Sequence, residues 1–282
     1  MGATKIEWAQ EVWNPVTGCT PQSAGCARCY AKRLATGRLR GRFGYRRRDP
    51  FRVTLHHDRM EQPTRWQKPR RVFVCSMGDL FHEDVPLEFL AKIFDVMACA
   101  IADCGRRHRH KVECWGGPPH TFMILTKRPE RAARILSEEL PDFLSEHYSG
   151  DSPIGVRLNA DGWPLRNVWL GTSVENAQTA SRRIPVLRKV PAALHFLSYE
   201  PALGSLLTPG LGLSALCGTD WLIAGAETGP AARPADLDWF REVRDFCASL
   251  RIPFFLKQVD ARRTRELDGR RHEQFPDRKV TG

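Results

Sequence analysis

No stretch of this chain approaches the roughly 18 consecutive apolar residues that a membrane-spanning helix needs. The N-terminal segment MGATKIEWAQ lacks the apolar core and cleavage pattern of a secretory signal. Met1-Gly2 is followed by Lys5-Ile6, without the Ser/Thr that myristoylation needs. These absences set membrane partners aside and read as a cytoplasmic protein. Low-complexity segments are also missing, as is any obvious interdomain linker. A disulfide scaffold is disfavoured as well. There are nine cysteines, an odd number, in a chain of 282 residues. With 42% hydrophobic and 27% charged residues the chain reads as globular, long enough to bury a sizeable core.

Acidic residues are scarce in one place. Between Lys32 and Arg71 there are fourteen Lys/Arg and three Asp/Glu (Asp49, Asp58 and Glu61), an excess equal to the +11 of the whole chain. Phe43, Tyr45, Phe51 and Trp66 lie within that segment. Clustered positive charge with interleaved rings suits phosphate contacts and base stacking, hence DNA, RNA or a nucleotide as partner. A plain solvated, arginine-rich surface is the competing reading.

One pattern recurs along the chain. A short apolar run ends in small and polar residues, and a helical segment follows. The runs are 71–76, 121–126, 168–172, 194–198, 221–225 and 253–257, with a first strand near Glu11 to Val16. Near-continuous apolar runs are what parallel strands buried on both faces look like. Residues 87–97 and 238–246 carry apolar side chains at helical spacing, and Pro86 and Pro129 sit where first turns begin. The repeat predicts an α/β fold, a full or partial parallel (β/α) barrel over 1–258, with an open doubly wound sheet as the alternative. Segments 38–70, 104–120 and about 141–166 read as excursions, and 259–282 as a polar, basic tail.

In a parallel barrel the chemistry sits at the C-terminal strand ends. Taken in order, those ends carry Ser76 and Asp79, then Lys127 and Arg128, then Ser173, Glu175 and Asn176, then Ser198 and Glu200, then Glu227, then Lys257. If the strands converge, these groups form one polar ring over an apolar interior. Structural ion pairing around a rim is the alternative for each of them.

Cys19, Cys26 and Cys29 follow the first strand with spacing C-x6-C-x2-C, in a loop that Gly18, Pro21 and Gly25 turn tightly. A structural zinc site usually takes four protein ligands, whereas an iron–sulfur cube on three cysteines keeps one iron open. A zinc site completed by a distant His or Cys, and no metal at all, remain alternatives. A second set, Cys104, His108, His110 and Cys114, has residue types that zinc accepts, although the spacing fits no standard finger and Arg106, Arg107, Arg109 and Lys111 crowd it.

The chain resembles the three-Cys-motif proteins, a phage and bacterial family related to the radical S-adenosylmethionine enzymes. The matching segments include WNPVTGC with its CxxCY, SMGDLFHEDVP (76–86), HTFMILTKRPER (120–131), NVWLGTSVEN (167–176), Arg183-Ile184-Pro185, LSYEPALG (197–204), DWLIAGAETGPAARP (220–234) and PFFLKQ (253–258). The six-residue gap departs from the superfamily's C-x3-C-x2-C. The family's Gly-Gly-Glu-Ser-Gly reads here as Gly225-Ala226-Glu227-Thr228-Gly229, which keeps the carboxylate.

The resemblance implies a TIM-barrel-like enzyme of the radical S-adenosylmethionine type. Cys19, Cys26 and Cys29 would hold a [4Fe–4S] cluster, and S-adenosyl-L-methionine would bind the open iron. An electron donor such as flavodoxin or ferredoxin would feed the cluster. Reductive cleavage would give a 5′-deoxyadenosyl radical that modifies or repairs a nucleic acid, a nucleotide or a related anionic substrate. A metal-stabilised nucleic-acid-binding protein without radical chemistry is the alternative. By position, Asp79 and Ser76 would meet the cofactor's ammonium. Ser173, Glu175 or Asn176 would meet its ribose, and Lys127 or Lys257 a carboxylate or phosphate. Glu200, Glu227 and Lys257 are the candidates for catalysis on the substrate.

Overall fold

Seven strands pair in chain order in the computed structural model, which describes residues 4, 6–99, 120–207 and 216–277. They are β1 (Glu11–Trp13), β2 (Arg71–Val74), β3 (Thr121–Thr126), β4 (Val168–Ser173), β5 (Leu194–Tyr199), β6 (Trp221–Gly225) and β7 (Phe254–Gln258). Every pairing in this sheet is parallel, from Glu11 opposite Val72 through to Leu222 opposite Phe254. The helices are α1 (Tyr30–Thr36), α2 (Leu87–Cys99), α3 (Pro129–Arg134), α4 (Leu140–His147), α5 (Pro153–Asp161), α6 (Ala177–Leu187) and α7 (Leu237–Ser249). Among the described residues no helix is long and apolar enough to cross a membrane.

Side chains alternate between two cores, as the two-residue period of a strand requires. Val72, Val74, Phe122, Ile124, Leu170, Leu197, Leu222 and Phe254 pack with Phe89, Ile93, Leu144, Ile154, Ile184, Phe240 and Phe246 of the helices. Phe73, Met123, Trp169, Phe196, Trp221, Ile223 and Phe255 form the other core with Trp8. Both faces are therefore buried, which explains why the strands read as near-continuous apolar runs. Helices α2 to α7 contribute their buried residues to the first core, on one face of the sheet. Sequential strand order with one-sided helices excludes the doubly wound alternative. The sheet is a half-barrel, with β1 and β7 at opposite ends of the strand order.

Two stretches differ from expectation. The excursion near 141–166 carries most of α4 and all of α5, whose Leu144 and Ile154 are buried with α2. In the stretch set apart as a tail, Leu256 N donates to His272 O at 2.7 Å and Gln274 N to Phe254 O at 3.1 Å. Trp221 Nε1 donates to Gln274 O at 3.0 Å, and the Arg71 guanidinium lies 4.2 Å over the Phe275 ring. Residues 259–277 therefore belong to the folded body. The proposed zinc ligands Cys104, His108, His110 and Cys114 lie outside the described residues.

Candidate active site at the C-terminal rim

The period-two alternation carries Ser173, Ser198 and Gly225 onto the same face as Trp169, Phe196 and Ile223, and Lys257 is the extra residue where the register shifts from Leu256 opposite Ala224 to Gln258 opposite Gly225. The concave face thus has an aromatic floor and a polar mouth. Across that mouth Lys257 Nζ meets Glu200 Oε1 at 2.7 Å, with both side chains about one-fifth exposed. Ser198 Oγ donates to Glu200 Oε2 at 3.4 Å. The pair spans β6, and Gly225 makes the room. A Cβ there would stand 2.7 Å from Glu200 Oε1 and 2.8 Å from Gln258 Nε2.

The three-cysteine loop lies over this rim and is fastened at several points. Where it leaves β1, Asn14 Oδ1 accepts from Met77 N at 3.0 Å and Ser76 Oγ at 3.2 Å. Gly18 follows with φ +86°, a conformation suited to glycine, and a Cβ there would sit 2.2 Å from Arg52 O. Tyr30 donates its hydroxyl to the Ser76 carbonyl. Thus Ser76 pins both ends of the loop.

Arg128 makes the densest set of contacts. Its Nη1 donates to Cys19 Sγ at 3.3 Å and Asp79 Oδ2 at 3.3 Å. Its Nη2 donates to Thr20 Oγ1 at 2.7 Å, and its Nε to Glu83 at 3.0 Å. Burial, reinforced by the Asp79 charge, pushes the Cys19 thiol up to about 11 despite Arg128 beside it. Without a metal Cys19 is therefore a protonated thiol, and metal binding would release its proton. Asp79 is itself buried and fully engaged. Its Oδ1 accepts from Thr126 Oγ1 at 2.8 Å and Phe81 N at 3.0 Å, and its Oδ2 also accepts from Lys127 N at 3.0 Å.

Further along, Ser23 Oγ donates to Glu175 Oε1 at 2.6 Å. Glu175 and Arg183 are both fully buried and meet at 3.4 Å, while Lys127 Nζ lies 3.9 Å from the same carboxylate. Arg183 Nη1 also donates to Ser173 O at 2.7 Å. Asn176 caps α6, accepting from Thr179 N at 3.0 Å. At the far side Glu227 accepts from Arg28 Nη1 at 3.1 Å and from Arg233 Nε at 2.9 Å. Burial opposes its charge, yet these bonds hold its carboxyl at about 2.

The predicted site residues thus fall into two groups. Glu200 and Lys257 face the mouth with Ser198. Asp79, Glu175, Asn176 and Glu227 make internal contacts that fix the loop, the β3 end or a helix start. Arg128, placed in the ring at the strand ends but given no role there, completes this fastening with Arg183, Ser23, Arg28 and Arg233, which were not among the predicted site residues. Arg128 carried a usable signal, since it directly follows Lys127 at a strand end. Ser23 and Arg28, inside the cysteine loop, carried none, because their partners are about 150 to 200 residues away.

The loop's donor set suits a thiolate-bound cluster in kind. Cys19, Cys26 and Cys29 are free and partly exposed. Gln22 N donates to Cys26 Sγ at 3.4 Å, the sort of N–H···S contact that supports a thiolate. Among the described residues no three His, Cys, Asp or Glu side chains are placed to hold one metal ion. Convergence on one point is what a mononuclear zinc site demands, with Zn–S near ~2.3 Å. In a cubane each thiolate reaches its own iron.

Fold and rim together define a parallel α/β half-barrel with a thiol-bearing loop fastened across its C-terminal mouth. Residues 3–276 match the model of a family described as protein of unknown function DUF5131, and the chain belongs to that family. No curated protein and no solved structure matches it.

Proposed function

We propose that this chain is a radical S-adenosylmethionine-like [4Fe–4S] enzyme acting on a nucleic acid, a nucleotide or a related anionic substrate. One observation carries the reading. Three free thiols share a loop that follows the first strand of a parallel half-barrel and lies over its C-terminal rim. Cys19, Cys26 and Cys29 would hold the cluster, which when bound supplies the electron for cleaving S-adenosyl-L-methionine. The rest falls to the chain's own side chains. Arg128, Glu175 and Glu227 hold the loop in place at three separated points. The aromatic floor keeps water from beneath the mouth. Lys257 offers a cation to an incoming acidic group, and the Glu200 carboxylate, which would lose its ion pair in that exchange, keeps the hydrogen bond from Ser198 Oγ.

Anaerobic purification tests the reading. The protein should be brown, with about four irons per chain, and reduction in the presence of S-adenosyl-L-methionine should release 5′-deoxyadenosine. Cys→Ala at 19, 26 or 29 should abolish both, and Cys247→Ala, buried in the helical core, should not. A colourless protein with one zinc per chain would overturn it. A second reading, a nucleic-acid-binding protein without radical chemistry, draws on the rim carboxylates 79, 175 and 227 already being ion-paired. Iron in place with no 5′-deoxyadenosine would favour that reading.

A further inference from the structure

Six arginines lie between Arg38 and Arg48, with no Asp or Glu among them. All six are exposed, and among the described residues none makes an ion pair. Only Arg40 is committed internally, its Nε donating to Arg47 O at 2.7 Å. Like charges this close repel one another, and among the described residues no carboxylate pairs with them.

The segment is nevertheless built. Leu39 N donates to Leu34 O, Arg42 N to Leu39 O and Tyr45 N to Arg42 O, at 2.9 to 3.0 Å. Arg59 Nη2 donates to Phe43 O at 2.6 Å. Gly41, Phe43 and Gly44 have φ of 72°, 50° and 84°. Tyr45, 7% exposed, anchors the segment against Ala31, Ala35 and Met77. This removes Tyr45 from the rings expected to stack, and Phe51 and Trp66 are half-buried as well. Phe43 is the reverse, 74% exposed. A phenylalanine in left-handed backbone with its ring in water is unfavourable on both counts unless something covers the ring. Beside it, Arg40, Gly41, Arg42 and Arg47 line an open notch of about 360 Å³.

We propose that the 38–48 segment binds single-stranded nucleic acid, with phosphates on the arginines and an unpaired base on Phe43. A single ring suits one base, and every base has a face to offer it. A duplex keeps its bases stacked, so the ring would go unused. A membrane surface would call for several neighbouring apolar side chains, and Phe43 is flanked by Arg42 and Gly44. The same small core that seats Tyr45 includes Leu39 and touches Cys29, so a strand on this segment lies against the helix that starts at the cysteine loop. The proposal rests on the proposed function's choice of a nucleic acid as substrate, and its test runs separately from the iron test.

Full-length protein is titrated with a fluorescent 20-nucleotide single strand, its duplex, and vesicles containing phosphatidylserine, over a range of salt. Four to six phosphate contacts give a log–log slope of about −3 to −4 for a single strand. Phe43→Ala should weaken single-strand binding about tenfold with the slope unchanged, and leave duplex binding alone. Changing Arg42, Arg46 and Arg48 together to Gln should make the slope shallower by about two, and changing them to Lys should restore it. Equal single-strand and duplex affinities, no effect of Phe43→Ala, or Phe43-dependent binding to vesicles alone would each overturn the proposal. Iron is measured on the same preparations. Colourless protein that still binds the strand keeps this proposal and fails the cluster. Brown protein that ignores the strand does the reverse.

Discussion

At the rim, Arg28, Arg128, Arg183 and Arg233 each meet a carboxylate, whereas the six arginines between 38 and 48 meet none among the described residues. Both sets come from the same basic composition. The rim arginines are spent on geometry: Arg28, Arg128 and Arg233 join distant parts of the chain at the strand ends and the cysteine loop, and Arg183 ties α6 to the end of β4. The others sit on a backbone made firm by different means, hydrogen bonds and a buried tyrosine. Where positive charge fixes structure it is matched by a carboxylate, in the interior at Arg128 and Arg183 and nearer the surface at Arg28 and Arg233. Where it is displayed and unmatched, the fold has been stabilised without it.

The sharpest test of that contrast is Arg128→Met. Arg128 is 3% exposed and its removal leaves Asp79 buried without its cation. A loss of ~3 to 5 kcal/mol is expected, read as a fall in Tm of roughly 10 °C. A loss under about 1 kcal/mol would mean that the rim arginines are no more structural than those of the 38–48 segment.

Gly18→Ala comes next. It forces a side chain into a left-handed conformation and against Arg52 O. Left-handed strain and overpacking together should cost ~2 to 4 kcal/mol in chemical denaturation. If the variant is as stable as the parent, the entry to the cysteine loop is looser than the close approach to Arg52 implies.

His56 joins the two regions. It lies below the arginine segment near Gly44 and Arg59, and its Nε2 is 2.8 Å from Thr17 Oγ1. Burial, and Arg59 after it, lower its pKa from 6.5 to about 4. Between those values the unfolded chain binds more protons than the folded one. Stability from this residue is therefore complete above pH 6.5 and declines as pH falls toward 4. The drop should be ~1 to 2 kcal/mol after allowing for solvent screening. His56→Gln should flatten the stability profile across that window, and an unaltered slope would place the titration elsewhere.

The smallest effect is expected where charge is densest. Replacing Arg42, Arg46 and Arg48 with Gln should change stability by less than ~0.5 kcal/mol, because no internal partner is lost. A larger loss would show that the arginine segment is structural after all.

The strands were legible because each is buried on both faces and so writes an unbroken apolar run. The runs at 121–126 and 221–225 coincide with β3 and β6, and the other four fall within a residue or two of β2, β4, β5 and β7. Closure was not legible, since periodicity carries no information on which strand meets which. The half-barrel follows from pairing order and from the helices sharing one face. Segment 141–166 was misjudged because Pro153, Gly155 and Gly162 suggest loop, yet Ser152 caps a helix there by accepting from Gly155 N. The placement of Lys257 and Glu200 at strand ends was readable from the apolar runs before them. Their pairing depends on Gly225 between them, a feature of three strands at once. Tyr45 and Phe43 are two residues apart in one basic stretch, and only the turn between them decides which is core and which is offered to solvent.

The return of the chain along β7 protects the molecule from its own kind. Outermost in the sheet, Phe254–Gln258 would present a row of unsatisfied backbone groups on an apolar strand, a template for intermolecular pairing. Residues 272–274 occupy that row, with Glu273 bridged antiparallel to Phe255. Seven parallel strands fold slowly, since each pairing waits for a helix to cross over. A chain whose residues 272–274 are not docked leaves this edge open to pairing with another copy.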